Sequence, residues 1–209
     1  MEASSKHVIY TSLEEIVNPA HTALVVWDVQ NGLVNSAFNK EDFLKNIKSL
    51  VAAARSHNVP VIYTKITPLP IPYESPWRLY LQMRRFGVDS PEKLPPFLQP
   101  GSPQAEIHSE VSPQEKELIL HKHTHSIFIG TYFENIMRNR GIDTILFTGI
   151  ATEIGISSSA RDAASRGFYP VVVRDCVSSS DAEMHEAALK TLQRVSLVVL
   201  SQDIMQEWK

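Results

Sequence analysis

Thr148-Gly-Ile-Ala-Thr-Glu-Ile-Gly-Ile-Ser-Ser-Ser-Ala-Arg-Asp-Ala163 is the stretch on which the reading of this chain turns. Before it, Asp143-Thr-Ile-Leu-Phe-Thr-Gly149 is short, apolar and β-branched, the pattern of a buried strand. After it, Gly155, Ser159 and Ala163 recur every four positions. On a helix they form one narrow stripe of small residues, which lets the helix lie close against a sheet. The stretch reads as strand, tight turn and helix, with Gly155 in the first helical turn. The leading amides of a helix have no internal partner and point at whatever sits there. A place for developing negative charge is thus built into the backbone.

The same rhythm runs through the rest of the chain. Thr22-Ala-Leu-Val-Val-Trp27 reads as the first strand, ended by Asp28. Glu41 to His57 places Phe43, Leu44, Ile47, Leu50, Val51 and Ala54 at helical spacing, and Val59 to Thr64 is a second strand. Strand, helix and strand at this spacing argue a right-handed βαβ unit and a parallel sheet. Further strands are expected at 117–121, 169–174 and 195–200, and helices up to Arg140, at 182–194 and at 202–209. Residues 1–19 read as an arm with a short helical piece. Residues 66–116 interrupt the pattern: ten of the thirteen prolines lie there, from Pro68 to Pro113. Trp77, Tyr80, Phe86, Arg78, Arg84 and Arg85 make this segment too aromatic for a plain linker. It is expected to cap the carboxyl ends of the strands, the alternative being a surface excursion or subunit contact.

With 209 residues the chain is long enough for one α/β domain with a real core, expected to span 1–209. A net charge of −3 leaves no nucleic-acid footprint and no membrane bias, and no apolar run approaches a membrane span. Met1 to Val17 is polar and charged, so no signal peptide is expected and a cytoplasmic location is. Cys176 is the one cysteine, which excludes an internal disulfide and a multi-cysteine metal cage.

Three motifs, in order, resemble those of the isochorismatase-like hydrolase superfamily, also called the cysteine hydrolases. They are Asp28-Val-Gln-Asn, Lys122-His-Thr-His-Ser-Ile-Phe128 and the turn that opens at Thr148. The resemblance covers about residues 20–200. It implies a Rossmann-like, three-layer α/β/α fold with six parallel strands in the order 3-2-1-4-5-6. It also implies a homo-oligomer, a small-molecule substrate, no cofactor and a cis peptide at Ile150–Ala151. Most members carry a nucleophilic cysteine where this chain has Gly155; isochorismatases carry glycine there and cleave a vinyl ether without a covalent intermediate.

The resemblance therefore assigns the catalytic roles to Asp28, Lys122 and Gly155. Asp28 is expected to be a general acid, with Lys122 setting its charge state and Gly155 leaving room for the reacting group or for water. Ala151, Thr152, Leu33, Trp77, Arg78 and Arg84 are the expected substrate contacts, with Arg78 and either Arg84 or Arg85 taking a carboxylate from the cap. Isochorismatases have a tyrosine where this chain has Ala151, and a glutamine near Lys65 or Ile66. Two other readings stand beside ether hydrolysis. One is a catalytically silent binding or assembly protein; the other is a cysteine-independent amide hydrolase. His121, His123 and His125 alternate and could share a face of a continuing strand, yet no metal is expected. Glu153, the serines 157–159 and Cys176 are weaker candidates for a base or nucleophile.

Overall fold

Side chains along Thr22–Trp27 (β1) alternate between two hydrophobic layers, and that alternation organises the molecule. Leu24 and Val26 join a layer built on the Lys40–Ser56 helix, while Ala23, Val25 and Trp27 join the layer opposite. All six residues of β1 are buried, as expected for a central strand covered on both faces. The computed structural model describes residues 9–209. Its sheet has six parallel strands in the order β3-β2-β1-β4-β5-β6. The other strands are β2 (Val61–Ile66), β3 (Leu118–Lys122), β4 (Thr144–Ile150), β5 (Tyr169–Ser178) and β6 (Leu197–Val199).

Phe43, Ile47, Leu50, Val51 and Ala54 of the Lys40–Ser56 helix cover one face together with Ile204 on the last helix and Trp208 at its C-cap. The opposite face is covered by Phe133 and Met137 on a helix at Phe133–Asn139, by Ala160 and Ala163 on Ser157–Ser165, and by Leu189 and Leu192 on Ala182–Leu192. The doubly covered parallel sheet read from the sequence is the sheet observed. No helix among the described residues is long and apolar enough to cross a membrane.

Several boundaries differ from the sequence reading, for physical reasons. β5 runs on through Asp175-Cys176-Val177 to Ser178, past the end expected at Arg174. A register shift against β4 between Phe147 and Gly149 absorbs the extra residues. Gly155 lies in a π-helical turn, Thr152–Ile156, and the α-helix starts only at Ser157. The wide turn is closed by Ile156 N–H donating to Ala151 O at 3.3 Å. The small-residue stripe survives this change: Gly155, Ser159 and Ala163 are all buried. Of the N-terminal arm, residues 1–8 lie outside the described residues. The rest holds the short helix Leu13–Ile16, closed by a capping box between Ser12 and Glu15.

The Pro-rich segment leaves the sheet after Ile66. It contributes a helix at Pro76–Phe86 and four short 3-10 turns before β3. Gln30 and Asn31 tie it to the exit of β1. Gln30 Nε2 donates to Ala105 O at 2.9 Å, its Oε1 accepts from Ile66 N, and Asn31 Nδ2 donates to Pro103 O at 2.8 Å. The segment is thereby fixed beside the carboxyl end of the central strand.

The packing of β4 on β1 generates a test. Gly149 has φ +114, and a Cβ built there would stand 2.0 Å from Trp27 O. A backbone atom cannot yield as a side chain end can. Gly149→Ala should therefore lose about 2–6 kcal/mol of stability from overpacking and disfavoured φ together. Urea unfolding reads this directly; a variant as stable as wild type would mean that β1 and β4 can separate.

Candidate active site

Asp28, Lys122 and Gly155 each follow or end a strand, and the strand order brings β1, β2 and β4 side by side with β3 at the edge. Ligands of such sheets bind outside the carboxyl ends, where the strand order reverses. A cavity of about 250 Å³ opens at that place. Its floor includes Trp27, Asp28, Lys122 and Gly155, and Ile150 and Ala151 form one side. Arg78, Leu81, Gln82 and Arg85 come from the Pro76–Phe86 helix. Their spacing, i, i+3, i+4 and i+7, is a single helical face. The Pro-rich segment thus supplies a wall of the cavity.

Asp28 is held at every polar atom of its side chain. Lys122 Nζ donates to Oδ2 at 2.5 Å, and Thr64 Oγ1 donates to Oδ1 at 2.5 Å. The same hydroxyl accepts the Asp28 N–H at 3.0 Å, which pins a residue whose φ is +47. A non-glycine residue in that left-handed region is uncommon and persists where its surroundings enforce it. Lys122 is on β3, two strands from β1, so its side chain must reach across the end of β2. Two strand spacings are roughly 9–10 Å, a span suited to a long side chain.

The pair is almost wholly shielded: Asp28 is 4% and Lys122 2% exposed. Burial disfavours charge on both. It pushes the Asp28 carboxyl above the usual range, while Lys122 and Thr64 pull the other way. Burial also pushes the Lys122 ammonium down; Asp28 opposes this and the nearby Arg78 adds to it. His125, on the cavity wall, is pushed down by burial first and then by Lys122 and Arg78, which favours a neutral imidazole.

One expectation is overturned outright. Gly155 does not leave open room. A Cβ built there would lie 2.2, 2.4 and 2.6 Å from Trp27 Nε1, Cε2 and Cζ2. The edge of the indole fills the space that a side chain at 155 would take. The same ring carries Lys122 Nζ on its face, 3.9 Å from the centroid. Trp27 was not singled out in the sequence, although it directly precedes Asp28. Period-two alternation assigns it to the layer of the Ser157–Ser165 helix but does not measure how near that layer comes.

The structure brings together Asp28, Lys122, Gly155, Ala151, Leu33 and Arg78 on one cavity. Three expected contacts stand elsewhere. Thr152 is buried and turned to the sheet, its hydroxyl donating to Ser178 O and lying 2.8 Å from His185 Nδ1. Trp77 is 64% exposed and borders a neighbouring cavity. Arg84 lies over the Tyr80 ring at 5.9 Å, one residue off the lining face; Arg85 takes its place. β3 ends at Lys122, so the three histidines do not continue along a strand. His121 Nδ1 lies 3.0 Å from Thr67 Oγ1 and His123 Nδ1 lies 2.5 Å from Thr67 O, while His125 lines the cavity. Glu153 accepts from Ser179 Oγ, and Ser159 donates to Gly155 O. Cys176 is buried in the layer of the Lys40–Ser56 helix, its thiol pushed well up by burial and by Asp175. The Ile150–Ala151 peptide is cis.

Residues 22–203 match the model of the isochorismatase domain. An isochorismatase family protein of Bacillus subtilis, YwoC, is 31% identical over 169 residues, covering 81% of this chain and 84% of its own. A maleamate amidohydrolase of Pseudomonas putida is 31% identical over 159 residues, covering 76% and 70%. Among solved structures, a cysteine hydrolase from Pseudomonas syringae pv. phaseolicola superposes with a TM-score of 0.79 at 21% identity, over 92% of this chain and 94% of that one. With the motifs, the sheet order and the domain match in agreement, this chain belongs to the isochorismatase family of hydrolases.

Proposed function

We propose that this chain hydrolyses a small carboxylated substrate without a covalent enzyme intermediate, by proton transfer from Asp28 in the manner of vinyl ether hydrolysis. The observation that carries this reading is the shielded Asp28–Lys122 pair on the floor of a cavity whose position 155 has neither a thiol nor room for one. Burial raises the Asp28 carboxyl, and a raised carboxyl is what a general acid needs near neutral pH. The cationic side of the cavity supplies the carboxylate recognition. Arg78 already shares Glu74 at 3.5 Å, while Arg85 has no ion-pair partner among the described residues.

In this mechanism Asp28 gives its proton to the terminal carbon of an enol ether. The ether oxygen's lone pair then forms an oxocarbenium ion, and water adds to the cationic carbon. A proton of that water returns to Asp28, and the hemiketal collapses to a carbonyl compound and an alcohol. Lys122 stays in place and steadies the carboxylate while it is without its proton. Ala151 and Ile66 make the adjoining walls apolar, so the reading is of the reaction class and an anionic substrate rather than of isochorismate alone. The relative named as a maleamate amidohydrolase acts on an amide by its name, which keeps amides in the assay panel.

Three substitutions test the roles, assayed on a panel of isochorismate, simpler enol ethers, amides and carbamoyl compounds. Asp28→Asn should lower kcat by about 10²–10⁴-fold with little change in binding. Turnover of a panel compound at the same rate by wild type and Asp28→Asn would remove the acid assignment. Arg78→Ala and Arg85→Ala should raise KM by about 10-fold or more and largely spare kcat, as expected for lost contacts to a charged group. An unchanged KM in both would place the substrate carboxylate elsewhere.

Lys122→Ala should act on stability as well as rate, because it breaks a buried pair and leaves the Asp28 carboxyl without its Nζ partner. The expected loss is about 3–5 kcal/mol in urea unfolding. A variant that keeps wild-type stability would show that the pair is not shielded as described.

A further inference from the structure

We infer that Trp27 is a substrate-binding residue. Its indole N–H, lodged where a side chain at position 155 would stand, donates a hydrogen bond to an oxygen of the bound carboxylated ligand, and its ring face holds the Lys122 ammonium. This rests on the small-carboxylate reading above and adds a donor that the family motifs do not include.

Three observations converge on it. The first is steric: Nε1 is the indole atom nearest the built Cβ of Gly155, at 2.2 Å, so the N–H edge of the ring lies against that glycine. The second is chemical. Trp27 is 1% exposed yet borders the cavity; its N–H makes no hydrogen bond among the described residues, and Nε1 is not one of the fully shielded polar atoms without a partner, so it keeps access to the cavity. Trp208, also buried, donates its own indole N–H to Val17 O at 2.7 Å. Tryptophan N–H groups set among buried residues ordinarily find a partner, and one left facing a cavity is a donor available to a ligand. The third is electrostatic. Lys122 Nζ stands 3.9 Å from the ring centroid, so one side chain presents a donor at its edge and a cation on its face.

The charged and titratable groups around this corner are Asp28 and Lys122 on the strand ends, Arg78 and Arg85 on the cap helix, and His123 and His125 between them. Apart from Asp28, these are cations or imidazoles, and Asp28 is already engaged by Lys122 and Thr64. An oxygen-bearing anion suits that balance. Gly155 then has a positive role: the ring that binds the ligand requires it.

Indole ¹H–¹⁵N spectroscopy of the full chain tests this with two probes, pyruvate and benzoate. The Trp27 resonance is assigned by its disappearance in Trp27→Phe, which keeps an aromatic face for Lys122 but removes the N–H together with part of the ring system. A saturable shift of the Trp27 resonance with at least one probe, leaving Trp208 unmoved, is the expected result. Probe affinity should fall about 10-fold in Trp27→Phe. No saturable shift of Trp27 with either probe overturns the inference, as does undiminished affinity in Trp27→Phe. A second arm needs no ligand. Gly155→Ala should lower the melting temperature by roughly 3–10 °C, and the loss should shrink in a Trp27→Leu background. An unchanged melting temperature in Gly155→Ala overturns the steric premise. Failure of Asp28 as the acid would leave the Trp27 shift intact, so the two readings fail separately.

Discussion

The contact between Lys122 Nζ and Asp28 Oδ2, shielded from water at the carboxyl end of the central strand, is the constraint around which the site is built. Two opposite charges in such a place cost more to desolvate than their attraction returns unless their geometry is fixed and their other bonding positions are filled. The chain meets both needs locally. Thr64 fills the second carboxylate oxygen and holds the Asp28 amide, and the Trp27 ring faces the ammonium. The strand order matters here. β2 lies between β1 and β3, so the Thr64 hydroxyl reaches Asp28 from the neighbouring strand while Lys122 reaches it from the strand beyond. The pair stays poised because burial disfavours charge on both members while each stabilises charge on the other.

A second constraint follows from Trp27. Its carbonyl is what a Cβ at Gly149 would strike, and its indole edge is what a Cβ at Gly155 would strike. Two glycines of the turn therefore answer to one residue of the neighbouring strand. The turn comes close to β1 because neither glycine has a side chain. Gly155, seen alone in the sequence, looks like a deletion; in the fold it is one half of a packed contact. The thiol chemistry of the wider family has no place at this position while the indole stands there.

Much of this was legible beforehand. The apolar run Thr22–Trp27, the helical spacing of Phe43 to Ala54 and the Gly155, Ser159, Ala163 stripe pointed to a parallel sheet with helices packed on it, while the order of its six strands came from the family resemblance. Asp28, Lys122 and Gly155 each stood next to a strand end, and the fold gathers them on one cavity. What escaped depended on distances and rotations that periodicity does not carry. Of the two arginines the sequence left open, Arg85 rather than Arg84 faces the cavity because it is seven residues from Arg78, on the same helical face. Thr152 points to His185 and Ser178 because the turn is π-helical, which no local residue pattern announced. Trp27 hid for a different reason: its partner, Gly155, is 128 residues away in sequence, and only the packing of β1 beneath the turn after β4 brings the two together.

The central claim is that Asp28 acts as an acid, and the dependence of kcat/KM on pH for any turned-over compound tests it most directly. An acid must carry its proton to work, and burial raises the pH at which Asp28 gives that proton up. With Asp28 as the acid, kcat/KM falls as pH rises through the apparent pKa of the pair, and Asp28→Asn removes that limb. A rate that instead rises with pH through the same limb would show Asp28 working as a base, and would contradict it.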